Sequence, residues 1–530
     1  MPSQLPRILL LSAAIAALPL SANAQENVDL QIGIVQRFGE KKQDSMTLTP
    51  QAGDKLTVRF SNGNGQTQSL TTDKLQLETI QQPLTKPRLE ERIIFSEHRS
   101  FETAEEQAQA WKAQGIDVEI AQPNRWQVWA KRSTYKTPLV RRWLMASLKA
   151  KGFTARLESK TLTELPKPSF VLNGNRYTRD RIDISSGKGL VYIDREKDDL
   201  PRHLYPGRFR LQPNAHNSTT LVNVVPLETY LRGVVPYEIG QGAPFQAMSA
   251  QAVLARTYVL RNVRRFTVDN YQLCATTQCQ VYYGLDGVTA ETDRAITETK
   301  GRVLVYNNEL VDALYSSTTG GVTAAFTDVW RGQDRPYLKV NLDAADGSTW
   351  DLRSKPLSEE QNLRSFLAVK KGFNESEISN WFRWKTEASL ETLNKDLRKY
   401  LQSISHPFSG FTTIQNIQVT GRSSGGRVLR LSVLTDAGQI DLERDEILLA
   451  FDAPNSLLFY IDPTFDSSTK LLKGFAFTGG GLGHAVGLSQ FGSYNLGKLG
   501  WSHDRILNFY FPNAQLQPYS TSITTYREGR

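Results

Sequence analysis

The first 24 residues constrain this chain most, because they decide the compartment in which everything after them folds. Arg7 is the only charged residue among them; the apolar run Ile8 to Leu20 follows it, and then Ser21-Ala22-Asn23-Ala24. A short basic region, an apolar stretch of about 7–15 residues and an A-x-A site are the parts of a cleavable secretory signal. The run is shorter than the roughly 20 apolar residues that cross a bilayer, and no later stretch reaches even about 18. The expectation is an exported protein of the periplasm or cell wall, mature from Gln25, with no transmembrane segment after signal cleavage. A charge of +9, from 63 Lys+Arg against 54 Asp+Glu, invites polyanionic partners. Outside the cytoplasm, free ATP and chromosomal DNA are scarce, so nucleic acid is not among those expected. Apolar residues at 39% and charged residues at 22% suit a globular chain and exclude a polytopic membrane protein or a mostly disordered one. Two cysteines in 530 residues exclude a disulfide-dense scaffold, so several ordinary hydrophobic cores must hold the fold.

The pattern along the chain predicts an α+β, multidomain protein. Residues 25–85 read as a small β-rich region with strands at Leu30–Val35, Lys55–Phe60 and Lys74–Ile80, and residues 81–87, with Pro83 and Pro87, read as a linker. Over 92–159 the order becomes β-α-β-β-α-β. The first helix carries a capping box, Thr103 with Glu106, and is stopped by Gly115; the second starts at Thr137-Pro138, with Val140, Trp143/Leu144 and Leu148 on one face. This is a ferredoxin-like module of about 70 residues. In element order, length and the Ala-Gln-Ala-Trp-Lys-Ala-Gln-Gly helix end it resembles a SPOR domain, which implies binding of glycan strands stripped of stem peptides. From about 165 the chain is β-rich, with a long helical stretch from Pro244 to Arg265 and a helical insertion at about 358–404.

Three blocks carry the chemistry. The first runs Val225-Pro226-Leu227-Glu228-Thr229-Tyr230-Leu231-Arg232-Gly233-Val234-Val235-Pro236-Tyr237-Glu238, then through Pro244 into Ala250-Gln251-Ala252-Val253-Leu254-Ala255-Arg256-Thr257-Tyr258. Glu238 follows an apolar Val234-Val235 pair in the loop before a helix, where partial desolvation raises a carboxyl toward general-acid use. On the helix, Gln251 and Tyr258 are seven apart and share a face. The second block is Tyr315-Ser316-Ser317-Thr318-Thr319-Gly320-Gly321 with Val329-Trp330-Arg331-Gly332. The third is Gly479-Gly480-Gly481-Leu482-Gly483-His484-Ala485-Val486-Gly487-Leu488-Ser489-Gln490-Phe491-Gly492. Its glycines permit close backbone approach to a sugar chain, and His484, Ser489 and Gln490 supply polar groups for one.

In order and content these blocks, with Ile506-Leu507-Asn508-Phe509-Tyr510-Phe511-Pro512 at the end, resemble the SpoIID/LytB family over about 168–518. Ala485 stands where that family usually has glycine. The resemblance implies a β-rich catalytic domain with a long helix after the catalytic loop. It implies a peptidoglycan lytic transglycosylase acting on denuded glycan, with Glu238 catalytic and Gln251, Tyr258, Tyr315, Ser317, His484, Ser489 and Gln490 binding substrate. Glu228 falls in the VPLExYL part, where a structural role is expected. The LytB branch supplies an alternative, a non-catalytic amidase enhancer with a cell-wall amidase as partner; a structural envelope adaptor is a third reading. Some relatives bind zinc near Cys274 and Cys279 with a preceding histidine, but this chain has no histidine from 217 to 405. Two thiolates alone rarely close a tetrahedral zinc site, so the expectation is a disulfide, no metal and no cofactor, with zinc completed by Asp269 or a distant histidine, or free thiols, as the other states.

Overall fold

In the computed structural model the described residues are 28–527 except 42–43, 196–201, 378 and 405; the expected signal at 1–24 lies outside them. No helix among the described residues is long and apolar enough to cross a membrane.

The fold is mixed α+β, and its sheets ignore the boundaries drawn from sequence. Strands β1 (Asp29–Phe38), β2 (Ser45–Pro50), β3 (Leu56–Ser61), β4 (Thr67–Thr72) and β5 (Leu75–His98) come from the N-terminal region. Next are α1 (Phe101–Ala113), β6 (Val118–Ala121), β7 (Trp126–Ala130), α2 (Pro138–Ala150) and β8 (Arg156–Leu172). They are followed by β9 (Asn175–Thr178), β10 (Ile182–Ser186), β11 (Leu190–Asp194), β12 (His203–Pro206), β13 (Arg208–Pro213) and β14 (Thr219–Pro226). Helices α3 (Leu227–Arg232), α4 (Val235–Ile239) and α5 (Phe245–Asn262) then lead to β15 (Leu273–Cys274).

One sheet has seven strands in the order β15-β1-β14-β13-β10-β3-β4, so β1 lies between two strands of the C-terminal region. A second runs β12-β11-β2-β5-β7-β6, with β8 also paired to β5. The regions 25–85, 92–159 and 168–518, expected as successive domains, are therefore interleaved through their backbone ladders. The expected linker 81–87 is part of β5, paired antiparallel with β8; the ladder breaks between Pro83 and Arg88, because proline has no N–H to donate. On α2 only Leu148 is buried, while Trp143 is 65% exposed, so Trp143 does not share the core face expected for it.

The second half contains α6 (Ala290–Glu298), β16 (Arg302–Tyr306), β17 (Glu309–Leu310), β18 (Tyr315–Ser316), α7 (Phe326–Val329), α8 (Glu360–Ala368), β19 (Trp384–Ser389) and α9 (Leu390–Ser403). The stretch 358–404 is thus not only helical: β19 pairs with the later strand Leu472–Gly479. After it come β20 (Ile414–Arg422), β21 (Val428–Thr435), β22 (Gly438–Glu443), α10 (Ile447–Ala450), β23 (Phe459–Phe465), β24 (Leu472–Gly479), β25 (Leu488–Ser489), α11 (Gln490–Lys498), α12 (His503–Tyr510) and β26 (Gln515–Pro518).

Helix α5 is the hub. Its residues from Ala247 to Asn262 are all buried, which suits its alanine content and explains why its apolar residues show no single stripe. Where it ends, the 92–159 segment is bolted on. Arg264 makes a two-bond ion pair with Glu105 (2.6 Å), Arg265 pairs with Glu102, and Trp126 packs 5.1 Å from Phe266. One apolar core accordingly runs from Phe101 and Trp126 through β1, β14 and α5.

Candidate active site

A cleft of about 600 Å³ opens where these parts meet, a size typical of small-ligand sites. It is lined by Glu238, Tyr258, Tyr315, Ser317, His484 and Gln490, six of the residues singled out from sequence. The N-terminal segment supplies Arg99, Ser100, Phe101 and Glu102 to its wall, and Trp330, Asp445 and Asn455 close another side. None of these last groups was legible as a site residue; the motif Val329-Trp330-Arg331-Gly332 was the one available signal.

Glu238 sits on α4, a helix just five residues long. Its Oε1 accepts from the Val281 N–H (2.7 Å), and the Tyr315 hydroxyl donates to the same carboxyl. Burial pushes its pKa up to about 7, against the partly opposing pull of these two donors. Tyr315 in turn accepts from Gln280 Nε2 (3.2 Å), and Tyr230 donates to Gln280 Oε1 (3.4 Å). A chain of neutral donors, with no cation in contact among the described residues, therefore orients the carboxyl. That is the environment in which a glutamate stays protonated near neutrality.

Gln280 and Val281 owe their position to the loop before them. Cys274 and Cys279 form a disulfide with Cα atoms 5.6 Å apart, and the Cys274 N–H points at Cys279 Sγ (3.1 Å). Among the described residues no group of three or more His, Cys, Asp or Glu is disposed to hold a metal ion.

Several expected sugar-binding groups are occupied by the protein itself. Gln490 Nε2 donates to the Glu238 backbone carbonyl (2.7 Å), so it fixes the helix turn that carries Glu238 rather than offering a free amide. Ser489 is fully buried and caps α11, accepting from the Gly492 N–H (3.0 Å). Gln251 is fully buried within α5 and does not line the cleft, although it shares a helix face with Tyr258. His484 Nδ1 accepts from Val486 N–H (3.0 Å), its ring packs 5.1 Å from Trp330, and burial lowers its pKa to about 4. A neutral imidazole results, anchored to the loop by one nitrogen.

The glycines, too, serve close packing of the protein on itself. A Cβ on Gly487 would stand 2.1 Å from the Leu314 carbonyl oxygen, and one on Gly320 would stand 2.6 Å from the Gly480 carbonyl carbon. The second and third sequence blocks are thus pressed backbone to backbone, with β18 paired parallel to β25. Ala485 holds φ of +61°, the left-handed conformation that glycine adopts freely. Glu228 makes a two-bond ion pair with the fully buried Arg256 (2.7 and 2.8 Å) and accepts from Gly301 N–H (3.3 Å). Its role is to join the VPLExYL turn to the ARTY helix.

Comparison with known proteins agrees with the first of these blocks. Residues 215–306 match the family described as stage II sporulation protein, and residues 324–487 match a domain of unknown function. The chain is 30% identical over 306 residues to the amidase enhancer of Bacillus subtilis (strain 168), covering 54% of this chain and 40% of that protein. It is 25% identical over 384 residues to an uncharacterized protein of Brachyspira hyodysenteriae, covering 70% of this chain and 88% of the relative. It is 23% identical over 320 residues to the stage II sporulation protein D of Bacillus subtilis, covering 58% and 78%. The chain spans less than half the length of the amidase enhancer. The region that holds Glu228, Glu238 and Arg256 is the one matched, and through it the chain is similar to the stage II sporulation protein family and to the amidase enhancer.

Proposed function

We propose that this protein is an exported peptidoglycan lytic transglycosylase that cleaves the bond between N-acetylmuramic acid and N-acetylglucosamine in denuded glycan, with Glu238 as general acid and then base. The observation that carries the reading is the carboxyl at the cleft wall, raised to about 7 by burial and held by Val281 N–H and the Tyr315 hydroxyl. The protonated acid donates its proton to the glycosidic oxygen as the muramyl C1–O bond breaks, and the N-acetylglucosamine leaves with that proton on its O4. The C6 hydroxyl of the same muramyl residue then bonds to C1, and its proton returns to the Glu238 carboxylate. Atoms and protons balance without water, so one carboxyl suffices where an ordinary glycosidase uses two. Tyr258, Tyr315, Ser317 and Trp330 line the space for the sugar rings, and Phe101 and Arg99 extend it from the 92–159 segment. In this reading that segment is a wall of the cleft as well as a glycan-binding module similar to a SPOR domain.

The match to an amidase enhancer favours a second reading, a glycan-binding partner of a cell-wall amidase without lytic activity. Mass spectrometry of fragments released from amidase-treated peptidoglycan separates the two. Anhydro-muramyl ends that vanish with Glu238→Gln support cleavage. Tight binding with no such ends supports the accessory role.

A further inference from the structure

Behind the cleft, two carboxyls are buried face to face with one hydroxyl between them. Asp343 and Glu375 are both 0% exposed. The Thr319 hydroxyl contacts Asp343 Oδ2 (2.7 Å) and also Glu375 Oε1. A hydroxyl has one proton to give, so it can donate to one of these oxygens only. The remaining contact is then made by a carboxyl that carries a proton of its own. From this geometry we infer that Asp343 and Glu375 share one proton at neutral pH, and that this proton makes Glu375 a positioning residue for the cleft.

Asp343 Oδ1 in addition accepts from both the Asn374 amide (2.8 Å) and the Tyr510 hydroxyl (2.8 Å). Glu375 accepts from the Thr319 N–H (2.8 Å). The charged groups facing the pair are the buried Arg427 and the partly buried Arg383, with Arg427 committed to the carbonyls of Thr319 (2.9 Å) and Val322 (2.6 Å), and Arg383 to that of Gly320 (2.8 Å). Tyr510 is the remaining titratable neighbour, and burial holds its hydroxyl neutral. No arginine reaches either carboxyl with a hydrogen bond among the described residues. Burial and the Asp343 charge accordingly push Glu375 up to about 8.

The pair joins elements that are far apart in sequence. Thr319 begins the turn Thr319-Gly320-Gly321, which abuts Gly480; Thr318 Oγ1 accepts from Leu482 N–H (2.7 Å), and the Ser317 carbonyl accepts from Phe491 N–H (3.2 Å). Ser316, Ser317, Leu482 and His484 line the cleft. Ionisation of both carboxyls would put two negative charges on one hydroxyl in a dry site and push this turn off the glycine loop.

The positioning role rests on the cleft being the active site, whereas the shared proton does not, and the experiment separates them. Glu375→Gln is isosteric and permanently neutral, with an N–H to replace the acid proton. Because the folded pKa is raised, the proton's contribution is complete below the ordinary carboxylate range and is lost as pH rises through about 8. Between pH 5 and 9 the wild-type Tm should fall by about 3–5 °C relative to E375Q, other titrating groups cancelling in the difference. In the same range, the protection of the Thr319 and Gly321 amides, measured against their intrinsic exchange rates at each pH, should fall in wild type and hold in the variant. Asp343→Asn, which supplies its own N–H, should flatten the same dependence, and it decides the matter if E375Q does not fold. Parallel Tm curves for wild type and either folded variant overturn the shared proton. If the curves diverge as expected but E375Q and wild type keep the same ratio of glycan turnover from pH 6 to 9, the proton stands and the positioning role falls.

Discussion

Replacing Glu238 by glutamine should make the protein inactive and, in alkaline buffer, more stable. The side chain keeps its size and an acceptor for Val281 N–H, which bonds Glu238 at 2.7 Å, but loses the transferable proton. Turnover should fall by at least ~10²-fold, the lower end for a general acid. The stability effect follows from the raised pKa. The ordinary value is 4.5 and the folded value about 7, so wild type gives up stability as pH rises through that interval. At about 1.4 kcal/mol per pH unit the total comes to roughly 3 kcal/mol above pH 8, none of which E238Q loses. With an unfolding entropy of about 2 cal/mol/K per residue, roughly 500 ordered residues convert this to a Tm about 3 °C higher for the variant at pH 8.5, against near equality at pH 4.5. Scanning calorimetry of both proteins across pH, beside glycan digestion of the same samples, measures both halves. A variant destabilised equally at pH 4.5 and 8.5 would show that burial does not raise this carboxyl. Activity of E238Q within a few-fold of wild type would remove Glu238 from catalysis.

Three further outcomes are expected. A truncated chain beginning near residue 165 should fail to fold, since it lacks β1 from the interior of the seven-stranded sheet; soluble, cooperative unfolding of that fragment by circular dichroism would contradict the interleaving. Gly487→Ala should cost several kcal/mol, because its Cβ meets the Leu314 carbonyl oxygen at 2.1 Å and φ is +78°; urea titration that leaves the midpoint unmoved would refute this. Reducing Cys274–Cys279 closes no long loop, so it should cost less than the ~2–4 kcal/mol typical of larger disulfide loops while loosening the Val281 N–H that holds Glu238; thiol titration with metal analysis should find no free thiol before reduction and no stoichiometric zinc, and one zinc per chain would sink it.

The burial of Glu238 was legible because its signal is local: the apolar Val234-Val235 pair just ahead of it points to a partly desolvated carboxyl. The ion pair of Glu228 with Arg256 was half legible, as a structural role without a partner. What failed were inferences from one element about what covers it. Gln251 and Tyr258 do share a face of α5, yet the helix is covered all round, and helical spacing says nothing of the neighbours. Gln490 and Ser489 have the right chemistry for sugars, but a backbone carbonyl and a helix N-terminus claim them first. The prolines at 83 and 87 read as a linker because a two-stranded ribbon with both faces largely exposed has no apolar alternation to betray it. The domain boundaries went astray for a related reason, since ladder pairing across 180 residues leaves no trace in composition.

The place of β1 also sets a timetable. It is the first described strand made, and its partners in β14 lie 181 to 197 positions later, from Phe38↔Thr219 to Asp29↔Pro226; its other neighbour, β15, comes later still, at Leu273 and Cys274. Until about half the chain exists, Leu30 and Ile32, which end at 0% exposure, have nowhere to be buried. Such long-range pairing is slow to form, and the chain must spend that interval as an open polymer with an apolar strand exposed. The cleft, which needs α1, α4 and the glycine loop at once, can take shape only after nearly all of the sequence has been delivered.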